Sequence, residues 1–136
     1  MPSEILLVED NRGDVVLLQE AFAEVDTHPQ LTVASNGSEA MDLLRSRAAA
    51  NPSALPGLIV LDLNLPRKDG KQVLEELKAD PVLARIPVVI LTSSNADRHV
   101  AQVHGLPDDS YVLKPTGFEG YLDVARGLAR RLPPAG

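Results

Sequence analysis

Five polar side chains follow short apolar runs in this sequence, and together they could perform phosphoryl chemistry. They are Glu9, Asp10, Asp62, Thr92 and Lys114. Carboxylates placed close together repel one another, and a hard divalent cation such as Mg²⁺, which prefers oxygen ligands, relieves that repulsion. A lysine and a hydroxyl beside the metal would hold the oxygens of a phosphoryl group, because phosphoryl transfer depends mainly on positioning and charge stabilisation. One of the carboxylates could then act as the nucleophile.

Apolar runs predict the strands that must position these side chains. Three runs are nearly continuous, which is typical of strands buried on both faces of a parallel sheet, and two weaker runs suit outer strands. The strong runs are residues 5–8, 58–61 and 87–91, and the weaker ones are residues 31–34 and 111–113. The five polar side chains therefore follow four of the five predicted strands.

Segments with helical spacing of apolar residues lie between the strands and after the last one. Val100 and Val103 belong to the fourth such segment, and Pro133 and Pro134 are expected to end the fifth. The apolar residues of the fifth helix, which we expect to pack against the sheet, are Phe118, Tyr121, Leu122, Ala125 and Leu128. Strict alternation of strands and helices predicts an α/β fold with a doubly wound, five-stranded parallel sheet and five helices. Such a sheet has its ligand crevice at the carboxyl ends of the strands.

Each polar side chain also has a purely structural interpretation. Acids favour helix N-termini, so Glu9 and Asp10 could cap the first helix. Asp62 could form a turn, Thr92 could begin a helix, and Lys114 could be solvated or salt-bridged. The coincidence of all of them at the ends of four predicted strands favours a joint function.

Composition excludes several other classes of protein. The 136 residues carry 19 acidic and 13 basic side chains, a formal net charge of −6, which disfavours direct binding of nucleic acid. The absence of cysteine removes disulfides, thiolate metal sites and a cysteine nucleophile. The N-terminal apolar run is too short for a signal peptide or a membrane span, so we expect a cytoplasmic protein with no membrane contact.

The ordered set of motifs resembles the receiver domain of two-component response regulators over essentially the whole chain. The motifs are residues 5–11, 59–70, 87–92 and 111–115. The resemblance implies a flavodoxin-like receiver fold with strand order 2-1-3-4-5. It also implies that residues 1–136 form a single receiver domain, with its core at about residues 3–132 and no output domain.

Roles in phosphorylation follow from the same resemblance. Asp62 would accept a phosphoryl group from a kinase histidine, Lys114 would pair with its oxygens, and Thr92 would move to hydrogen-bond them. Tyr111 would be the switch aromatic whose rotamer reports that movement; its alternative interpretation is an ordinary half-buried aromatic of a strand. The bond before Pro115, often a cis peptide bond in this family, would aim Lys114.

The resemblance implies a magnesium site as well. Asp10 would bind Mg²⁺ directly, Glu9 would bind it through water, and the backbone carbonyl of Asn64 would complete the protein ligands, which also include Asp62. Asn64 and Ser94 occupy the positions that tune how quickly water removes the phosphoryl group. The receiver would catalyse its own phosphorylation and dephosphorylation without being a turnover enzyme.

A narrower resemblance concerns the partner. Residues 9–14 and 62–70 are similar to those of stand-alone receivers that partner bacterial phytochromes, which implies a light-sensing histidine kinase as phosphodonor. It also implies a homodimer through the fourth helix, fifth strand and fifth helix, the surface that phosphorylation would switch. Docking of the kinase is assigned to the first helix and the loops around the site. The residues assigned to it are Asn11, Asp14, Val15, Leu18 and 116–118.

Two other functions remain open from the sequence. A phosphatase of the haloacid-dehalogenase type also uses a strand-end aspartate, a hydroxyl, a lysine and Mg²⁺, but it needs an acid two residues after the nucleophile. Asn64 stands at that position and cannot donate a carboxylic proton. The third possibility is a degenerate receiver that is never phosphorylated and acts only as a docking module.

Overall fold

The structure is a computed structural model, and it describes residues 4–26, 28–65 and 69–132. Five parallel strands alternate with five α-helices along the chain. The strands are β1 (Glu4–Val8), β2 (Gln30–Ala34), β3 (Leu58–Leu61), β4 (Val88–Thr92) and β5 (Tyr111–Leu113). The helices are α1 (Arg12–Ala23), α2 (Gly37–Ala50), α3 (Gly70–Ala79), α4 (Arg98–Val103) and α5 (Phe118–Arg131). Residues 66–68 of the second motif, and Pro133 and Pro134, lie outside the described residues.

Strand order in the sheet is β2-β1-β3-β4-β5, which confirms the predicted doubly wound α/β fold and the two outer strands. The fourth strand begins and ends one residue later than predicted. Pro87 has no amide hydrogen for strand pairing, whereas the carbonyl of Thr92 accepts a hydrogen bond from the Lys114 amide at 2.8 Å. This shift pairs the end of β4 with the residue that follows β5.

Two apolar layers cover the two faces of the sheet. Helices α2, α3 and α4 enclose one layer, and α1 and α5 enclose the other. The central strands β1, β3 and β4 are buried apart from the first residue of β1, because helices cover them on both sides. This packing leaves the carboxyl edge of the sheet as the place where polar side chains meet. None of the helices in the described ranges is long and apolar enough to cross a membrane.

The packing prediction for the fifth helix is correct except at its start. Tyr121, Ala125 and Leu128 are buried. Leu122 is partly buried and packs against the same apolar layer. Phe118, in the first turn of α5, is exposed. Its predicted packing against the sheet is therefore wrong.

Candidate functional site

The carboxyl ends of β1 and β3 bring three carboxylates together. Val8 pairs with Leu61 across these neighbouring strands, so Glu9 and Asp62 leave the sheet side by side. The Asp62 amide donates to the Val8 carbonyl at 3.1 Å. Carboxylate oxygens of Glu9, Asp10 and Asp62 all lie within 4.8 Å of one another. The structure therefore assembles the acidic cluster predicted from the strand ends.

Lys114 projects its ammonium group into this cluster from the end of β5. Its Nζ atom lies 2.7 Å from Glu9 Oε1, 2.8 Å from Asp14 Oδ2 and 3.0 Å from Asp62 Oδ2. Burial alone would lower the pKa of Lys114, but its hydrogen bonds to Asp14, Glu9 and Asp62 outweigh that effect and raise the pKa above its ordinary value. The lysine is therefore a fixed positive charge beside Asp62, not a solvated surface lysine.

Glu9 and Asp10 lie in different environments although they are adjacent in sequence. Glu9 is buried, and burial together with the charge of Asp62 raises its pKa to about 7, against the opposing effect of Lys114. Asp10 is exposed to solvent. Neither residue caps α1, because the Asn11 side chain accepts the Asp14 amide at 3.0 Å and performs that role.

The donor set of this cluster fits a hard divalent cation. Three carboxylates confined to one edge of the sheet carry more negative charge than Lys114 can neutralise, and all their donor atoms are oxygens. Glu9, Asp10 and Asp62 would hold such an ion, which would supply positive charge to incoming phosphoryl oxygens. The Asn64 amide donates to Asp62 Oδ1 at 3.0 Å, which fixes the loop after β3. Metal binding by the Asn64 carbonyl stays a prediction.

Thr92 is the last residue of β4, and Tyr111 is the first residue of β5. Thr92 is buried at the end of β4, and its carbonyl holds the Lys114 amide. Tyr111 is also buried, its hydroxyl donates to the Ser94 carbonyl, and the Arg98 guanidinium lies 4.7 Å from the centroid of its ring. The tyrosine is therefore attached to the loop between β4 and α4, which is the loop that follows Thr92.

The bond between Lys114 and Pro115 is trans, since the described residues contain no cis peptide bond. The expected cis geometry is therefore wrong for this structure, in line with the general preference of X–Pro bonds for trans. Lys114 contacts the cluster with this bond in the trans form. Pro115 packs against Gly120 of α5, where a Cβ atom would lie only 2.4 Å from the Pro115 Cβ.

Of the residues assigned to kinase docking, one is buried in the core and the others are at least partly exposed. Leu18 is fully buried, so its docking role is wrong: it belongs to the core between α1 and the sheet. Asp14 contacts Lys114, and Asn11 caps α1. Val15 instead lines a surface cavity of about 260 Å³ that also includes Glu9. Residues 116–118 are exposed.

Three positions that bear on the site were missed by sequence reasoning as parts of it. Asp14 was assigned to kinase docking and not to the site, and its contact with Lys114 joins residues 100 positions apart. Gly70 follows Asp69, and a Cβ atom there would lie 2.2 Å from the Asp62 carbonyl oxygen. An Asp-Gly pair signals a turn, which was the one available hint for Gly70. Gly120 had no sequence signal, because glycine inside a helix has no single meaning.

Comparison with known proteins gives a consistent result. The response regulator receiver domain family matches residues 5–125. Response regulator Rcp1 of Synechocystis sp. is 38% identical over 127 residues, which cover 93% of this chain and 86% of that protein. The crystal structure of the phosphorylated cyanobacterial phytochrome response regulator RcpA is 38% identical, with a TM-score of 0.84, and covers 96% of this chain and 93% of its own. The crystal structure of the Mn²⁺-bound form of response regulator Rcp1 is 36% identical, with a TM-score of 0.80. The match covers 93% of this chain and 91% of that chain.

Strand order, the acidic cluster and the sequence matches agree. The chain belongs to the response regulator receiver domain family, in which phosphorylation of an aspartate with Mg²⁺ is typical.

Proposed function

We propose that Asp62 is the phosphoacceptor of this receiver and that Mg²⁺ is its cofactor. The observation that carries the proposal is the contact of the Lys114 ammonium with Asp62 Oδ2 at 3.0 Å inside a cluster of three carboxylates. This places a fixed positive charge beside the carboxylate that attacks. It also leaves the acids Glu9 and Asp10 beside it to hold the metal ion.

Asp62 attacks the phosphorus atom of a phosphohistidine, and the bond from phosphorus to the histidine nitrogen breaks as the new bond to the carboxylate oxygen forms. Lys114 pairs with the phosphoryl oxygens, since its ammonium already lies beside Asp62. Thr92 donates its hydroxyl to a phosphoryl oxygen, which draws the loop after β4 toward the site. When bound, Mg²⁺ supplies further positive charge to those oxygens.

Movement of that loop can transmit phosphorylation to the surface formed by α4, β5 and α5. The carbonyl of Ser94 accepts the Tyr111 hydroxyl, and Arg98 lies over the Tyr111 ring, so a shift of this loop acts on both residues. Phosphorylation then changes the populations of two arrangements of α4, β5 and α5. Ser94 and Asn64 tune the lifetime of the phosphoryl group. Glu9 would contact the metal through water, and the Asn64 carbonyl would be a further ligand.

The donor is a sensor histidine kinase, and similarity to the phosphorylated cyanobacterial phytochrome response regulator RcpA favours a phytochrome kinase. Val103, Leu113 and Phe118 are exposed apolar side chains on α4, β5 and α5, which supports a homodimer through this surface. The net charge of −6 supports output through protein contacts without direct DNA binding. Residues 1–136 act as one receiver domain.

Turnover chemistry is not expected. A haloacid-dehalogenase-type phosphatase needs a general acid near its nucleophile, and the residue two positions after Asp62 is Asn64. A docking module without phosphorylation would not need a lysine held among carboxylates at such a buried position. Phosphate release from small phosphoesters should therefore not rise above about one equivalent of the protein, whereas steady release far above that would favour the phosphatase.

Intact-mass measurement after incubation with acetyl phosphate and Mg²⁺ tests the proposal. We expect one phosphoryl adduct in the wild type and in Asp123→Asn, a matched change of a solvent-exposed acid on α5. The adduct should be absent in Asp62→Asn and without divalent metal. An adduct that survives Asp62→Asn would refute the assignment, and a wild type with no adduct would favour the docking module.

Transfer from a light-regulated histidine kinase tests the donor. Radiolabel should pass from the autophosphorylated kinase to the wild type and not to Asp62→Asn. Light scattering before and after phosphorylation then tests the dimer, with Val103→Ser as the variant of the apolar surface. A dimer that Val103→Ser leaves unchanged would argue against that surface.

A further inference from the structure

Lys114 has a partner that the metal cluster does not include. Its ammonium group has three donor hydrogens, and three carboxylates receive them: Glu9 at 2.7 Å, Asp14 at 2.8 Å and Asp62 at 3.0 Å. Glu9 and Asp62 belong to the cluster of candidate ligands. The cluster found among the described residues does not include Asp14. Asp14 contacts the lysine from the first turn of α1.

Tyr121 orients the Asp14 carboxylate from a third element. Its hydroxyl donates to Asp14 Oδ1 at 3.0 Å, while Asp14 Oδ2 receives the Lys114 ammonium. Tyr121 is buried in the layer between α5 and the sheet, so its ring has little freedom to move. The two oxygens of Asp14 therefore have separate, fixed partners on α5 and after β5.

Binding of a divalent cation changes which partners the lysine can keep. The carboxylates of Glu9 and Asp62 contact Lys114, and the cation needs the same two carboxylates as ligands. Two positive charges compete for them, and the lysine must give up part of its contact. Asp14 offers an acceptor that the metal does not take.

We propose that Asp14 is a positioning residue that holds Lys114 when a divalent cation occupies Glu9, Asp10 and Asp62, and that Tyr121 orients it. This inference rests on the proposed metal site. Without Asp14, Lys114 has only the metal ligands as partners, so it competes more strongly with the cation. With Asp14, the lysine remains beside Asp62 and ready to pair with phosphoryl oxygens.

Calorimetric titration with Mg²⁺ alone measures this effect without phosphorylation. We expect Asp14→Asn to raise the dissociation constant about tenfold, at the lower end of the range known for residues that support metal ligands. Tyr121→Phe keeps every charge and removes only the orienting hydroxyl, so it should raise the constant by a smaller factor. The charge-matched control Asp123→Asn, exposed on α5, should stay within about twofold because water and salt screen it.

A double-mutant cycle separates positioning from simple loss of charge. If Asp14 acts through Lys114, Asp14→Asn should lose most of its effect on the dissociation constant in a Lys114→Met background. An equal or larger effect in that background would overturn the inference, as would a single variant Asp14→Asn within twofold of the wild type. An unchanged Tyr121→Phe would overturn the role given to Tyr121. A wild type that binds no Mg²⁺ would overturn the proposed metal site together with this inference.

Discussion

Gly70 is the position where adding one methyl group should disturb the site most directly. A Cβ atom at Gly70 would lie 2.2 Å from the Asp62 carbonyl oxygen and 2.4 Å from the Leu63 Cα atom. Both neighbours are backbone atoms, so no side chain can rotate away. Normal contacts between carbon atoms begin at about 3.5 Å, so Gly70→Ala must separate α3 from the end of β3 by about 1 Å.

The displacement acts on the proposed phosphoacceptor itself. Asp62 now lies 3.0 Å from the Lys114 ammonium, and a shift of about 1 Å breaks a hydrogen bond of that length. Misplacement by about 1 Å can reduce a reaction rate about 100-fold, which is the loss we expect in Asp62 phosphorylation. Overpacking should also lower the free energy of unfolding by about 1–3 kcal/mol.

The assay follows formation of the phosphoryl adduct with time by intact mass, with acetyl phosphate and Mg²⁺, and urea unfolding of the same samples. Gly127→Ala is the matched control, because it lies inside α5 and its Cβ atom would meet nothing within 4 Å. That control should phosphorylate normally and gain about 1 kcal/mol from better helix propensity. A Gly70→Ala variant with wild-type rate and stability would refute the claim that this close approach positions Asp62.

Two further changes test other contacts. Burial alone would raise the pKa of Glu4, but hydrogen bonds to its carboxylate, foremost from Arg47, lower that pKa below 4.5. The ionised Glu4 carboxylate therefore stabilises the fold above pH 4.5, and this contribution is lost as the pH falls through the folded-state pKa. Glu4→Gln should therefore cost about 1 kcal/mol at pH 7 in urea unfolding, and the difference from the wild type should shrink in acid; a difference independent of pH would contradict the ion pair. In Gly120→Ala the new Cβ would lie 2.4 Å from the Pro115 Cβ and should displace the proline. Phosphorylation should slow about tenfold, less than in Gly70→Ala, because a proline ring can shift. A rate equal to that of Gly127→Ala would show that the Pro115 contact does not position the lysine.

Apolar runs without polar alternation were sufficient to predict the strands. A strand covered on both faces needs apolar residues at every position, and this local requirement is visible in residues 58–61. The chemistry at the strand ends was predictable for the same reason, since parallel strands end at one edge. Glu9, Asp62 and Lys114 therefore meet where their strands predict.

Local signals failed where the outcome depends on how elements pack. Phe118 fits the apolar spacing of α5, yet it is exposed, because apolar spacing alone does not fix which residues of a helix are covered by packing. Leu18 of α1 was assigned to a partner surface, but it is buried between α1 and the sheet. In both cases the sequence defined an apolar stripe, and the placement of the helix decided which of its residues are covered.

The sequence by itself determined the alternation of elements, the sheet and the set of residues at its carboxyl edge, because hydrophobic patterning and strand direction are local properties. Only the tertiary structure decided which partners each of those residues has. The Lys114 ammonium is shared among Glu9, Asp14 and Asp62, which come from the end of β1, from α1 and from the end of β3. Such contacts depend on the distance between packed elements and on the direction of each side chain, and neither quantity is written in the order of residues along the chain.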